Sequence, residues 1–149
     1  MVEILRTSSE HPDFQSLVRL LDAELAERDG EDNAFYAQYN KIDLIRHAIV
    51  AYQDGQAIGC GAIKTFDEKA VEVKRMFTLP AMRGLGIARI ILSELEKWAA
   101  ELSYEKCVLE TGKRQPEAIA LYLKQGYSII PNYGQYIGIE NSVCFEKMV

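Results

Sequence analysis

The chain has 149 residues, 48% of them hydrophobic and 26% charged, a balance typical of one folded domain spanning residues 1–149. A formal net charge of −5 disfavours non-specific nucleic-acid binding, and neither a polybasic patch nor a long apolar run indicates association with a membrane. Three widely spaced cysteines and only two histidines predict a reduced, cytoplasmic protein without a disulfide framework or a metal site.

The first half of the chain predicts two helices and a meander of antiparallel strands. Pro12 opens a helical pattern whose apolar side chains fall on one face up to Gly30, and residues 31–40 predict a shorter, aromatic-rich helix. Asp54-Gly55 is a strong hairpin signal, because both residues tolerate the positive φ of a two-residue turn. Strands are predicted over residues 1–7, 45–53, 56–66 and 70–79.

The second half of the chain alternates helices with strands. Residues 84–102 carry a continuous apolar stripe, and residues 116–125 predict a further helix that Gly126 closes. Because a helix connects the fourth and fifth strands, that pair should be parallel. The pattern therefore predicts an α/β (α+β) fold with a mixed sheet that is antiparallel on one side. The later strands are predicted over residues 104–111, 127–130 and 142–147.

A glycine-rich turn leads from the fourth strand into the long helix. Gly84 and Gly86 allow backbone N–H groups to approach a ligand closely, and the first helical turn adds unpaired N–H groups at the positive end of the helix dipole. Arg83 and Arg89 add positive charge. These features favour a phosphate or pyrophosphate site, although an ordinary turn into a helix has the same composition. A Rossmann fingerprint, whose third glycine would stand at Arg89, does not fit, and neither does a P-loop.

Two spaced motifs carry a resemblance to a known family. Arg83-x-x-Gly86-x-Ala88, after a strand and a hydrophobic-x-Pro turn, resembles the acetyl-CoA-binding motif of the Gcn5-related N-acetyltransferase (GNAT) superfamily. The block from Gln115 to Tyr127 is similar to the family's Asn-x-x-Ala-x-x-x-Tyr-x-x-x-Gly-Phe sequence, with Gln and Tyr in place of Asn and Phe. The resemblance covers essentially the whole chain. It implies a strongly twisted mixed sheet of about seven strands with helices on both faces, and, because dimers are frequent in the family, it raises a homodimer as an expectation.

The resemblance implies that acetyl-CoA is the co-substrate. Its pantetheine arm would lie along the backbone of the fourth strand, with the Met76 N–H bonded to the thioester carbonyl. Its pyrophosphate would bind the N–H groups of residues 85–89. Gln115 stands where the family's Asn often makes a contact. The residues implied in cofactor binding are Met76, Phe77, Thr78, Arg83, Gly84, Leu85, Gly86, Ile87, Ala88, Arg89 and Gln115.

Acetyl transfer from a thioester to an amine requires a neutral amine, a polarised carbonyl and a proton for the departing thiolate. The resemblance makes Tyr122 the proton donor, although a helix tyrosine can also serve only in packing. Strand alternation puts Glu72 on the same face as Met76, and in some family members a glutamate at this place is the general base. The alternatives for Glu72 are an ion pair with Lys74 or Arg75, or the role of an exposed strand carboxylate. Glu110, on the next strand, is the rival carboxylate for the role of base.

In the family, the acceptor side is built from the first two helices and the late loop. Aromatic and acidic side chains there suit a cationic amine, although each one taken singly is more typical of packing or of a solvated face. The prediction is acetyl transfer to a small primary amine. A protein lysine or N-terminal amine is the alternative acceptor, and a non-catalytic acyl-CoA-binding module is the alternative class. His47 and the cysteines are expected to be structural. The candidate acceptor residues are Glu24, Arg28, Phe35, Tyr36, Asn132, Tyr133, Gln135 and Tyr136.

Overall fold

The computed structural model of the chain describes residues 1–30 and 45–149, so the helix predicted at residues 31–40 lies outside the described residues. The other predicted helices and strands are present, and their ends differ from the predicted ones by a few residues. The strands are β1 Val2–Thr7, β2 His47–Gln53, β3 Gln56–Thr65, β4 Ala70–Thr78, β5 Lys106–Gly112, β6 Ser128–Ile130 and β7 Ser142–Met148. The helices are α1 Pro12–Asp29, α2 Ile87–Glu101 and α3 Pro116–Lys124.

The strands form one mixed sheet in the order β1-β2-β3-β4-β5-β7-β6. Neighbouring strands are antiparallel except β4 and β5, which are parallel as predicted. The hairpin between β2 and β3 turns at Asp54 and Gly55, whose φ angles of 51° and 79° confirm the expected turn chemistry. The predicted fold class, a mixed sheet of about seven strands, is therefore confirmed.

Hydrophobic side chains pack on both faces of the sheet. On one face, Phe14 and Leu17 of α1 pack with Ala62 of β3. On the other face, Ile91 and Leu95 of α2 belong to a larger core to which α3 also contributes. Burying a side chain of this size stabilises the fold by about 1.5–3 kcal/mol, so both faces of the sheet hold helices in place. Within the described ranges, no helix combines the length and the apolar character needed to cross a lipid bilayer.

The residues that the sequence assigned to structural roles have them. Cys60, Cys107 and Cys144 are buried free thiols. Burial raises the pKa of the Cys60 and Cys107 thiols to about 12, so both stay protonated and unreactive at neutral pH. His47 packs edge-on against the ring of Trp98, with ring centroids 4.8 Å apart. Both kinds of residue therefore contribute to packing.

A β-bulge in β4 overturns the predicted alternation of its side chains. Gly61 of β3 lies opposite two residues, Arg75 and Met76, and Arg75 has a φ of 62°. As a result Glu72 shares the α1 face of the sheet with Phe77, whereas Met76 packs into the core on the α2 face. The expectation that Glu72 and Met76 point to the same side is wrong, because alternation holds only along an unbroken strand.

Candidate active site

A cleft opens where β4 and β5 stop pairing. The two strands pair only from Ala70 to Glu72, whereas β5 remains paired with β7 as far as Gly112. The cleft has a volume of about 420 Å³ and is bounded by α1, β4, β5, the start of α2, and α3. The predicted site residues that line it are Glu72, Met76, Phe77, Thr78, Arg83, Gly84, Gly86, Ile87, Ala88, Arg89, Glu110, Gln115 and Tyr122.

The β4 wall of the cleft presents an open strand edge. Among the described strands, none pairs with the β5-facing edge of residues 73–78. An open edge of this kind can hydrogen-bond an extended ligand as if the ligand were an added strand. The bulge lies in the middle of this stretch, at Arg75 and Met76. The backbone of β4 can therefore hold a linear ligand at the place where the sequence predicted the pantetheine arm.

The glycine-rich loop forms the end of the cleft beside α2. Gly84 and Gly86 both have a φ of 82°, which an α-helix excludes, and the helix predicted from Gly84 therefore begins only at Ile87. A Cβ added at either glycine would meet no described atom within 4 Å, so the space over the loop is open. The first residues of α2, residues 87–89, line the cleft, and the unpaired N–H groups of a first helical turn can bind an anion. The Leu85 side chain is 64% exposed and lies outside the cleft lining, so only its backbone can take part.

Arg83 fixes the glycine-rich loop to the rest of the cleft. Its Nε donates to the backbone oxygen of Thr78 at 3.0 Å, and its Nη2 pairs with Glu24 of α1 at 2.8 Å. Its guanidinium also lies over the Phe77 ring, 5.5 Å from the centroid. Glu24, a predicted acceptor residue, is therefore engaged in positioning Arg83.

Tyr122 reaches the cleft from α3. Its side chain is nearly buried, with 6% of the residue exposed, and its ring packs against Tyr127 and Phe145 at centroid distances of 5.8 Å. Burial, together with the negative charge of Glu110, raises the pKa of the Tyr122 phenol above its ordinary value. The phenol therefore carries its proton throughout the neutral range and can donate it.

Among the described carboxyl groups, Glu110 has a pKa that its surroundings raise to about 7. Burial raises the pKa of Glu110 from 4.5 to about 7, a hydrogen bond with Ser142 opposes the rise, and the charges of Glu72 and Asp29 add to it. Its Oε2 is buried and has no hydrogen-bond partner among the described residues. A carboxyl group with a pKa near 7 is suited to accept and release protons at neutral pH.

Glu72, unlike Glu110, has both of its carboxylate oxygens engaged by neighbouring side chains. Its Oε2 accepts a hydrogen bond of 2.6 Å from the Tyr133 hydroxyl, and its Oε1 lies 3.8 Å from the Lys74 ammonium group. Tyr133 belongs to the late loop, so Glu72 connects that loop to β4. Glu72 therefore forms an ion pair with Lys74, as the alternative to a role as base predicted.

The late loop brings aromatic side chains to the cleft. Tyr136 is 3% exposed and lines the cleft, and its ring lies 5.9 Å from that of Tyr133. Asn132 donates to the backbone oxygens of Tyr136 and Ile139, both at 3.0 Å, and so holds the loop in shape. Gln135 hydrogen-bonds Tyr136. Of these four predicted acceptor residues in the late loop, Tyr136 is the one that lines the cleft.

Three predicted acceptor residues remain, and the cleft also contains charged residues that the sequence did not propose as site residues. Arg28 pairs with Glu117 of α3. Phe35 and Tyr36 lie outside the described residues. The cleft lining also contains Asp29, Lys74 and Arg75. Two adjacent charges inside the otherwise apolar strand segment of residues 73–77 were the signal that could have indicated the last two.

Known proteins share both the sequence pattern and the fold. An IAA acetyltransferase from Azospirillum brasilense is 42% identical over 100 residues, which are 66% of this chain and 65% of that protein. The chain spans about two thirds or less of the length of the first curated relatives that it matches. The crystal structure of an acyl-CoA N-acyltransferase from Klebsiella pneumoniae has 28% identity and a TM-score of 0.83, covering 99% of this chain and 97% of that one. A GNAT family acetyltransferase from Elizabethkingia anophelis, solved with acetyl-CoA bound, has the same fold at 17% identity, with a TM-score of 0.70 and coverage of 99% and 98%.

The open seven-stranded sheet and its glycine-rich cleft define an acyl-CoA N-acyltransferase fold. The model of the acetyltransferase (GNAT) family matches residues 13–127, and the chain belongs to this family. The resemblance found in the sequence is thus confirmed, and the prediction of an acyltransferase is confirmed at the level of the family. The roles of the individual site residues stay predictions.

Proposed function

We propose that this protein transfers the acetyl group of acetyl-CoA to the primary amine of a small molecule. Membership of the GNAT family supports the class of reaction, and a structure of the same fold with acetyl-CoA bound supports the co-substrate. The observation that carries the proposal is the shared cleft. The buried carboxyl of Glu110 and the buried phenol of Tyr122 line the same cavity as the glycine-rich loop.

The cleft fits an extended ligand with a pyrophosphate at one end. The open backbone edge of residues 76–78 would bind the pantetheine arm, and the Met76 N–H would meet the thioester carbonyl. The N–H groups at the start of α2 would bind the pyrophosphate, with Arg89 as a nearby positive charge. The open space over Gly84 and Gly86 supports this assignment, because the anion must approach the backbone closely.

In this proposal, Glu110 and Tyr122 each move one proton of the reaction. Glu110 takes a proton from the ammonium form of the acceptor and leaves a neutral amine, since a pKa of about 7 leaves much of the carboxyl group ionised at neutral pH. The neutral nitrogen then bonds to the carbonyl carbon while the bond between that carbon and sulfur breaks, and the second proton that the nitrogen loses on becoming an amide passes to solvent. Tyr122 gives its phenolic proton to the departing sulfur, and proton exchange with solvent restores both side chains. Glu72 is the second candidate for the base, and its bonds to Tyr133 and Lys74 make it the weaker one.

The position of the charged groups favours a small acceptor over a protein chain. Glu72 and Glu110 lie within the cleft, where a compact amine can reach them. A non-catalytic module that only senses acyl-CoA needs neither a titratable carboxyl group nor a phenol beside the ligand. The presence of both groups therefore favours an enzyme.

Release of the coenzyme A thiol tests the proposal directly. Purified protein is mixed with acetyl-CoA and, in turn, with a panel of small primary amines, a lysine-containing peptide, and no acceptor. The proposal expects thiol release that depends on a small amine. Acetyl-CoA binding without thiol release on any acceptor would support the sensing module instead. Activity confined to the peptide would support a protein acceptor.

A further inference from the structure

The cleft contains a buried guanidinium whose hydrogen-bonding capacity is only partly used. Arg75 stands at the β4 bulge, with 2% of its side chain exposed. Its Nη1 donates to the carboxylate of Asp22 on α1 at 2.8 Å. Its Nε and Nη2 are buried and find no hydrogen-bond partner in the part of the chain that the structure describes. Buried N–H groups of a charged side chain are costly when they lack an acceptor, so this arrangement needs an explanation.

The two unpartnered groups form one edge of the guanidinium, the edge that binds a carboxylate with two parallel hydrogen bonds. The same molecule uses this edge of another arginine for a carboxylate. Arg6 donates from its Nε and Nη2 to a single oxygen, Oε2, of Glu94, at 2.9 Å and 2.6 Å. At Arg75 the protein supplies an equivalent edge without the carboxylate, so the missing acceptor can come from a ligand.

The neighbours of Arg75 suit a ligand that carries both charges. Arg75 and Lys74 line the cleft together with Glu72 and Glu110. Lys74 interacts electrostatically with all three of the others, so the cations and the carboxylates lie close together. A ligand with an ammonium and a carboxylate group can place each of them against the opposite charge. Arg75 also directly precedes Met76, whose N–H is assigned to the thioester carbonyl, so a ligand held at Arg75 lies beside the reacting group.

We propose that the acceptor of this protein is an amine that also carries a carboxylate, and that the Nε and Nη2 edge of Arg75 binds this carboxylate. Because Nε and Nη2 are buried, this binding requires the outer part of the Arg75 side chain to turn toward the cleft that the residue lines. The amine then lies toward Glu110, and the carboxylate sets its distance from the thioester. This inference rests on the proposed acetyl transfer and specifies the class of acceptor.

The test compares acceptors that differ only in the carboxylate. An amino acid and its carboxamide are assayed with the wild-type protein by thiol release, and the acid should have at least about tenfold higher kcat/KM, the order expected for a charge-assisted bidentate contact. In Arg75→Gln, the kcat/KM for the acid should fall by about tenfold or more, while that for the carboxamide and the affinity for acetyl-CoA stay within about twofold of wild type. Arg19→Gln, which removes an exposed arginine of α1, is the matched control and should change neither substrate.

The wild-type comparison keeps the test decisive even if Arg75→Gln fails to fold. Equal kcat/KM for the acid and the carboxamide would overturn the inference and leave the proposed acetyl transfer intact. Thiol release with no amine at all would count against the transfer itself. In that case calorimetry measures the binding of the acid and of the carboxamide to the wild-type protein, independently of acetyl transfer. Tighter binding of the acid would support the Arg75 site, and equal binding would overturn it.

Discussion

Replacing the Glu110 carboxyl with a neutral amide should stabilise the fold at high pH while it impairs the proposed reaction. The folded protein holds the Glu110 proton up to about pH 7, whereas the unfolded chain releases it near 4.5. Because the folded state binds more protons in this window, the free energy of unfolding falls as pH rises through it, by about 1.4 kcal/mol per pH unit. The wild-type protein therefore loses about 3 kcal/mol of stability between pH 4.5 and pH 7 through this one group. Glu110→Gln carries no charge and escapes the loss.

Thermal unfolding at several pH values measures the effect. At pH 8, Glu110→Gln should melt about 6–12 °C above the wild-type protein, and near pH 4.5 the two should melt together. Glu68→Gln, a change at an exposed turn between β3 and β4, is the matched control and should follow the wild-type curve. A constant difference between Glu110→Gln and wild type at all pH values would refute the reasoning, because it would mean that the Glu110 carboxyl titrates in the folded protein as it does in the unfolded chain.

Three further predictions concern the cofactor and the proton transfers. Gly86→Asp puts a carboxylate beside the pyrophosphate and should weaken acetyl-CoA binding at least about tenfold by calorimetry, whereas Gly55→Asp, at a similar positive φ in the β2–β3 turn, should bind normally. Tyr122→Phe deletes only the hydroxyl and should lower kcat by roughly 10²-fold without changing acetyl-CoA affinity, and full activity would return Tyr122 to a packing role. The equivalent change at the partly buried Tyr104, which does not line the cleft, is the control. Glu72→Gln should lower the rate at neutral pH less than Glu110→Gln does, with a deficit that shrinks at high pH, and the reverse order would make Glu72 the base.

Local sequence signals predicted most of the fold. The Asp54-Gly55 turn, the proline that opens α1 and the apolar stripe of α2 depend on residues close together in the chain, and the structure has all three. The same holds for the parallel pairing of β4 and β5, because a connecting helix leaves little alternative. The two motifs around Gly86 and Tyr122 carried information on tertiary structure through the family resemblance, and both residues line one cleft.

Contacts between distant parts of the chain decided the rest of the candidate site. The bulge at Arg75 depends on how β4 pairs with β3, and it reverses the side to which Met76 points relative to Glu72. The hydrogen bond between Tyr133 and Glu72 joins residues 61 positions apart. The pKa of Glu110 rises because the fold removes it from water and places other carboxylates near it. Burial and electrostatic interactions of this kind depend on which residues the tertiary structure brings together. The spacing of residues along the chain could therefore name Glu72 and Glu110 as candidate bases but could not predict their different surroundings.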